Sequence, residues 1–362
     1  MRTLVTLFVC CTLNLCAAAQ TYFHYSHHEK EELKKRESGY TMDNDQLQQW
    51  DAVLARVTGG LEHFEAERVT TYLYVAQEEA ASLSYDTHGK YIGSLDPVSD
   101  AVLRLLVPGY RSPHFLKTDR YSEDLKEIVM AKIKDRVEQE DRSEKEFPVP
   151  PNMRTTYTVG REVARWIPWH LENPKSYWPP SPPADGSGRW KKEVKEIKEQ
   201  QEHMGTAARE SIHKWAGQRG PYAGNWVAIA NHYLFSEEVP FRTTLATRAA
   251  LLTGLYDAAI VFFGAKYHYL VERPKIRDNS VHYEVPVPPH PSYPSGHSTE
   301  AGVAKAVLDH YLPQNRAEWD RLAEESCLSR IYGGIHYPID DVAGRKAGKK
   351  IGEKAVKGTG NG

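Results

Sequence analysis

Thr243 to Glu272 is a long, mostly apolar stretch of helical composition, and how it is covered decides the fold. A helix apolar nearly all round needs lipid or protein on every side. Arg248 and Asp257 interrupt the run, which argues against a transmembrane span. With 26% charged residues and a mean hydropathy of −0.59, the chain is not a bundle of membrane helices. The stretch therefore reads as the central helix of a globular protein. Its buried Asp257 needs a cationic or hydrogen-bonding partner that the sequence does not name.

Helical periodicity continues on both sides. Leu47, Trp50, Leu54 and Val57 share one face after Asp43, with Gly59 as a stop. Asp96-Pro97 opens a second helix with Val102, Leu105 and Leu106 inside it. Ser122 is placed to cap a third, whose Leu125, Ile128, Val129, Ile133 and Val137 form a stripe. Trp190 to Trp215 reads as a charged helical stretch. No alternating strand pattern and no repeat stands out, so the expected class is all-α. Asn173 to Gly188, rich in Pro, Ser and Gly, must be irregular. It could separate two domains or wrap the surface of one.

Met1 to Gln20 has a basic Arg2, an apolar run from Leu4 to Leu15, and small residues at Ala17 and Ala19. That is the pattern of a cleavable secretory signal with a cut after Ala19, so the expected location is secreted or periplasmic. Leu15 directly before Cys16 speaks against a lipoprotein signal. Three of the four cysteines would leave with the signal, and Cys327 would have no disulfide partner. The expected organisation is a signal over 1–19 and a flexible, charged lead over 20–42. An N-terminal helical region over 43–157 and a site-bearing helical domain over 158–355 follow. His27 and His28 belong to the polar lead and are not read as metal ligands. A net charge of −2 gives no basis for general nucleic-acid binding.

The chemistry concentrates in the last hundred residues. Lys266 and Arg273 are seven apart, so on one helix they point the same way, roughly 10 Å apart along the axis. Pro274 is expected to end that helix. Pro294-Ser295-Gly296-His297 precedes an apolar-periodic helix. Ser295 and Gly296 would then lie at a helix N-terminus, where backbone N–H groups and the dipole attract an anion. His297 would stand beside that anion, where acid–base work needs it. Arg330 adds a third cation. His336 and Asp340 are four apart, so on a helix Asp340 can hold Nδ1–H and leave Nε2 as nucleophile or metal ligand. Each cluster alone also fits a solvated face, a helix cap or a core pair. Together they specify one anion site.

The ordered set K-x6-R-P, P-S-G-H and S-R-x5-H-x3-D resembles the superfamily of vanadium-dependent haloperoxidases and type 2 phosphatidic acid phosphatases (PAP2). The resemblance implies an all-α helical bundle of the PAP2/vanadium haloperoxidase type. It also implies that Lys266, Arg273, Ser295, Gly296 and Arg330 hold the equatorial oxygens of vanadate or phosphate. His297 would be the acid–base residue, His336 the apical vanadium ligand or phosphate-accepting nucleophile, and Asp340 its orienting partner. Lys266 would further polarise bound peroxide.

Longer stretches resemble the haloperoxidase branch. These are AALLTGLYDAAIVFFGAKYHYLVERP, GREVARWIPWHLENP and PPHPSYPSGHS, within a recognisable span from about Thr158 to Ile351. His290 occupies a position that resembles the His of bromide-preferring enzymes and is the candidate for halide tuning. Glu272 stands where haloperoxidases often carry Trp, and it could pair with Arg273 or weaken oxyanion binding. The implied activity is a secreted, vanadate-dependent haloperoxidase using hydrogen peroxide, with bromide or iodide favoured. The alternatives are an acid phosphatase that hydrolyses phosphomonoesters through a phosphohistidine, without cofactor, and a non-catalytic anion-binding protein.

Overall fold

The computed structural model describes residues 22–34, 37–84, 90–141, 147–148, 150, 157–216, 221 and 223–359. The expected signal segment, residues 1–19, lies outside them. The α-helices are α1 (His27–Lys34), α2 (Asn44–Thr58), α3 (His63–Leu83), α4 (Asp96–Leu106), α5 (Arg120–Asp141), α6 (Gly188–Glu202) and α7 (Thr206–Ala216). They continue as α8 (Gly224–Ser236), α9 (Phe241–Tyr269), α10 (Pro274–Arg277), α11 (Gly296–Tyr311), α12 (Arg316–Tyr332) and α13 (Pro338–Thr359). Among the described residues the only β contact is an isolated bridge between Thr41 and Ile92. The fold is all-α.

The apolar stretch is α9, buried from Thr244 to Tyr267 against α3, α11 and α13. It is long and apolar enough to cross a membrane, yet protein covers it throughout. The two charges that interrupt the apolar run, Arg248 and Asp257, have partners. Arg248 pairs with Asp51 of α2 and lies 3.7 Å from the centre of the Tyr74 ring. Asp257 accepts the backbone N–H groups of Trp169 at 2.7 Å and His170 at 2.8 Å. Burial still pushes its carboxyl up to about 7.

Several local expectations change. The predicted flexible lead contains α1, with Tyr25 and Leu33 buried. Together with Phe23, which packs against the same core, these side chains dock an otherwise largely polar segment. Asp119, not Ser122, caps α5, because its Oδ1 accepts both the Ser122 amide and hydroxyl; Ser122 Oγ accepts the Ser94 amide instead. The stretch from Trp190 to Trp215 is two helices, interrupted at 203–205. No periodic signal marks α3, since Glu67, Thr70, Thr71, Gln77, Glu78 and Glu79 are all buried on it.

The Pro-rich segment wraps a surface and does not divide two cores. Its Pro179 and Pro180 carbonyls accept the Tyr269 and Tyr293 hydroxyls at 2.8 and 2.7 Å. One apolar cluster joins Leu47, Val69 and Leu103 to Leu251, Val303 and Ile351, so the regions before and after residue 158 share a core.

Candidate active site

The three sequence clusters meet at one end of α9, α11 and α13. Lys266 lies in the last turn of α9, which stops at Leu270 in the left-handed conformation (φ 54°). Arg273 is therefore not on the same helix as Lys266. It follows an extended turn, and Pro274 begins the short α10 instead of ending α9. The turn brings the guanidinium back over the site. Lys266 Nζ donates to the carbonyls of Pro291 at 2.9 Å and Ser292 at 2.7 Å. Arg273 donates to the His290 and Ile335 carbonyls at 3.1 and 2.6 Å. Glu272 beside it is exposed.

Ser295 is the N-cap of α11, with Oγ accepting the Ser298 amide at 3.3 Å. Its own N–H donates to the Asp340 carbonyl at 3.1 Å, which ties the start of α11 to α13. Gly296 opens the helix, buried. Arg330, 2% exposed near the end of α12, donates to Ser329 Oγ at 3.0 Å and the Ile212 carbonyl at 2.6 Å.

His336 precedes α13, so its pairing with Asp340 is not a within-helix contact. Asp340 sits in the first turn and its Oδ2 gathers three donors: Tyr337 N–H at 3.2 Å, His336 Nδ1 at 2.8 Å and Ser292 Oγ at 2.5 Å. The carboxylate thus caps its own helix while holding the imidazole. Arg273 Nη1 lies 3.0 Å from His336 Nε2. A guanidinium can only donate, so Nε2 carries the lone pair and Nδ1 carries the proton given to Asp340. Burial, then the charge of Arg273, holds the imidazole well below its ordinary value and keeps it neutral. Burial also pushes Asp340 up to about 6.

His297 is fixed differently. Its Nε2 lies 2.9 Å from the Trp215 carbonyl, an acceptor, which places the proton on Nε2 and the lone pair on Nδ1. Burial and the nearby Arg330 lower it to about 3. His290 is drawn in as well, with Nδ1 3.1 Å from Arg273 Nη2 and its ring edge-on to Phe263. Burial, then the charge of Lys266, holds His290 well below its ordinary value. Burial and the Arg273 charge likewise depress the Lys266 ammonium.

Two parts of the site carry no sequence signal. Ser292 is one hydroxyl in a Pro-rich loop. Glu300 lies on the buried face of α11, three residues after His297, in a helix that also carries Lys305 and Asp309, so its acid does not stand out.

A neutral nitrogen lone pair, three buried cations and a helix start suit a tetrahedral or trigonal-bipyramidal oxyanion. Comparison with known proteins agrees in class. The architecture is similar to that of a bacterial vanadium-dependent iodoperoxidase, with a TM-score of 0.70 and 18% identity over 89% of this chain and 98% of that one. It is similar also to a bacterial vanadium-dependent chloroperoxidase in its holo form, with a TM-score of 0.63 and 12% identity over 84% and 92%. The apo form gives 0.60 and 13% over 81% and 93%. The fold is that of the vanadium-dependent haloperoxidases. Residues 245–349, which contain every proposed site position, match the family model of the PAP2 superfamily. No curated protein matches the chain in sequence.

Proposed function

We propose that this chain is an exported, vanadate-dependent haloperoxidase that oxidises bromide or iodide with hydrogen peroxide. The observation that carries the reading is the line Arg273–His336–Asp340. It presents a neutral Nε2 lone pair inside a buried cationic cradle at the start of α11. Vanadate fits this donor set, since one neutral imidazole can ligate the metal while cations and helix N–H groups take its oxygens.

Lys266, Arg273, Ser295, Gly296 and Arg330 would hold those oxygens. His336 Nε2 would ligate the vanadium, with Arg273 giving up its contact to that nitrogen. Asp340 fixes the ring and its tautomer. When bound, vanadate supplies the Lewis acid that activates peroxide towards halide. His297 is neutral at ordinary pH, so its lone pair can accept a proton from incoming peroxide. His290, 3.1 Å from Arg273 Nη2 and edge-on to Phe263, would be the residue that tunes the halide. The fold likeness to a bacterial iodoperoxidase supports iodide among the halides. Residues 1–19 read as the export signal, and N-terminal sequencing of exported protein should begin at Gln20.

A second reading rests on the same lone pair. With a phosphate monoester in the cradle, Nε2 can attack phosphorus and form an N–P bond as the alcohol leaves; water then releases phosphate. His297 would then give the alcohol its proton, once the bound phosphate has offset the cations that lower it. This reading stands second because the fold likeness is to haloperoxidases. A paired assay on purified protein decides between them. One arm supplies vanadate, bromide or iodide, and peroxide; the other supplies a chromogenic phosphate ester. Halogenation without ester hydrolysis is expected, and the reverse would establish the phosphatase. Anion binding with neither activity would point to the non-catalytic reading, and full activity in His297→Ala to a different site.

A further inference from the structure

Beside the cradle is a pair of buried acids that the proposed reaction does not use. Glu300 is 2% exposed and sits one turn into α11, on the face it shares with Gly296 and His297. Helical side chains lean towards the N-terminus, so its carboxyl reaches back towards the end where an oxyanion would rest. Its Oε1 is buried without a hydrogen-bond partner. Glu67, 1% exposed on α3, accepts the Ala223 amide at 3.2 Å. The charges that act on Glu300 come from three elements: Glu67 of α3, Lys266 of α9 and Arg330 of α12.

Resting on the oxyanion-site reading above, we propose that Glu300 is a resident competitor for the cradle, admitting an oxyanion while its carboxyl holds a proton and displacing it once that proton is lost. The reasoning is electrostatic. An ionised carboxylate here would neutralise Arg330 and Lys266 and repel any arriving anion. A neutral one leaves both cations available and adds an O–H donor. Glu67 secures the neutral form, because two carboxylates buried together resist ionising together. In agreement, burial and then Glu67 push Glu300 well above the carboxylate range, and burial pushes Glu67 up to about 7.

The test is binding of inorganic sulfate, a tetrahedral dianion whose own charge is constant across the range, by calorimetry at stepped pH. The wild-type affinity is expected to fall on the alkaline side by about tenfold per pH unit, the signature of one lost proton. Glu300→Gln, permanently neutral and isosteric, should retain affinity there. Glu67→Gln should move the fall to lower pH. Glu300→Gln with an unchanged alkaline fall overturns the proposal and assigns the fall to Lys266, leaving the cradle intact. A wild-type affinity independent of pH overturns it too. Failure of sulfate, phosphate and vanadate alike to bind would remove both this proposal and the oxyanion site.

Discussion

At the scale of single residues, the site works by fixing where protons are. Asp340 takes Nδ1–H of His336, and the Trp215 carbonyl takes Nε2–H of His297, so the two imidazoles present opposite nitrogens. Asp340→Asn keeps the shape but offers an amide that can turn a donor towards Nδ1 and favour the wrong tautomer. Turnover is expected to fall about 10- to 100-fold, the usual cost of losing a partner behind a ligand. Steady-state kinetics on the folded variant measures it, and unchanged turnover would remove Asp340 from this role. The motif residues were legible because chemistry demands their type and order. Ser292 and Glu300 were not, because a lone hydroxyl or a lone acid says nothing until the fold shows what it faces. The geometry joining Lys266 to Arg273 was also misread. Seven residues imply a shared helical face only if the helix continues, and Leu270 ends it.

At the scale of elements, the cradle depends on how closely α13 lies against α11. Gly344, Gly348 and Gly352 recur every fourth residue, and a Cβ on them would meet the carbonyls of Ser295 at 2.7 Å, Thr299 at 1.9 Å and Val303 at 2.7 Å. Backbone cannot yield as a side-chain tip can. Gly348→Ala is therefore expected to destabilise the fold by about 1–3 kcal/mol through overpacking. It should also weaken oxyanion binding, since α11 brings Ser295 and Gly296 while α13 brings Asp340. Calorimetry and sulfate titration check both, with Lys354→Ala on the exposed side of α13 as the control expected to change neither. A Gly348→Ala protein that matches the control would show that the contact is not rigid. The helices themselves followed from periodicity where one face is apolar. The long α3 did not, because its buried face is lined with Glu and Gln partnered by other elements and with Thr70 and Thr71 bonded back to carbonyls of their own helix.

At the scale of the whole molecule, buried titratable groups set the pH range. Burial pushes Glu79 up to about 8 and Glu67 and Asp257 to about 7. Their folded forms hold protons that the unfolded chain releases at lower pH. This contribution is present in acid and is lost as pH rises through about 7 to 8. The histidines have the opposite sign. Burial lowers His170 to about 4 and His297 to about 3, so stability falls as pH drops from the ordinary imidazole range towards those values. Thermal unfolding at stepped pH should show Tm declining on both sides. Glu79→Gln should flatten the alkaline decline, and a Tm constant from pH 6.5 to 9 would contradict the assignment. This balance was invisible in a net charge of −2, since an average cannot report which charges are buried.

Glu79 also accepts the amide of Tyr22, whose hydroxyl lies 3.2 Å from Thr359 Oγ1 at the end of α13 and 3.4 Å from Thr253 Oγ1 of α9. Tyr22 is thereby tied to the last helix and to the central one, the two helices that bring Asp340 and Lys266 to the cradle. The stretch before α1 is thus a tie between them rather than a loose lead.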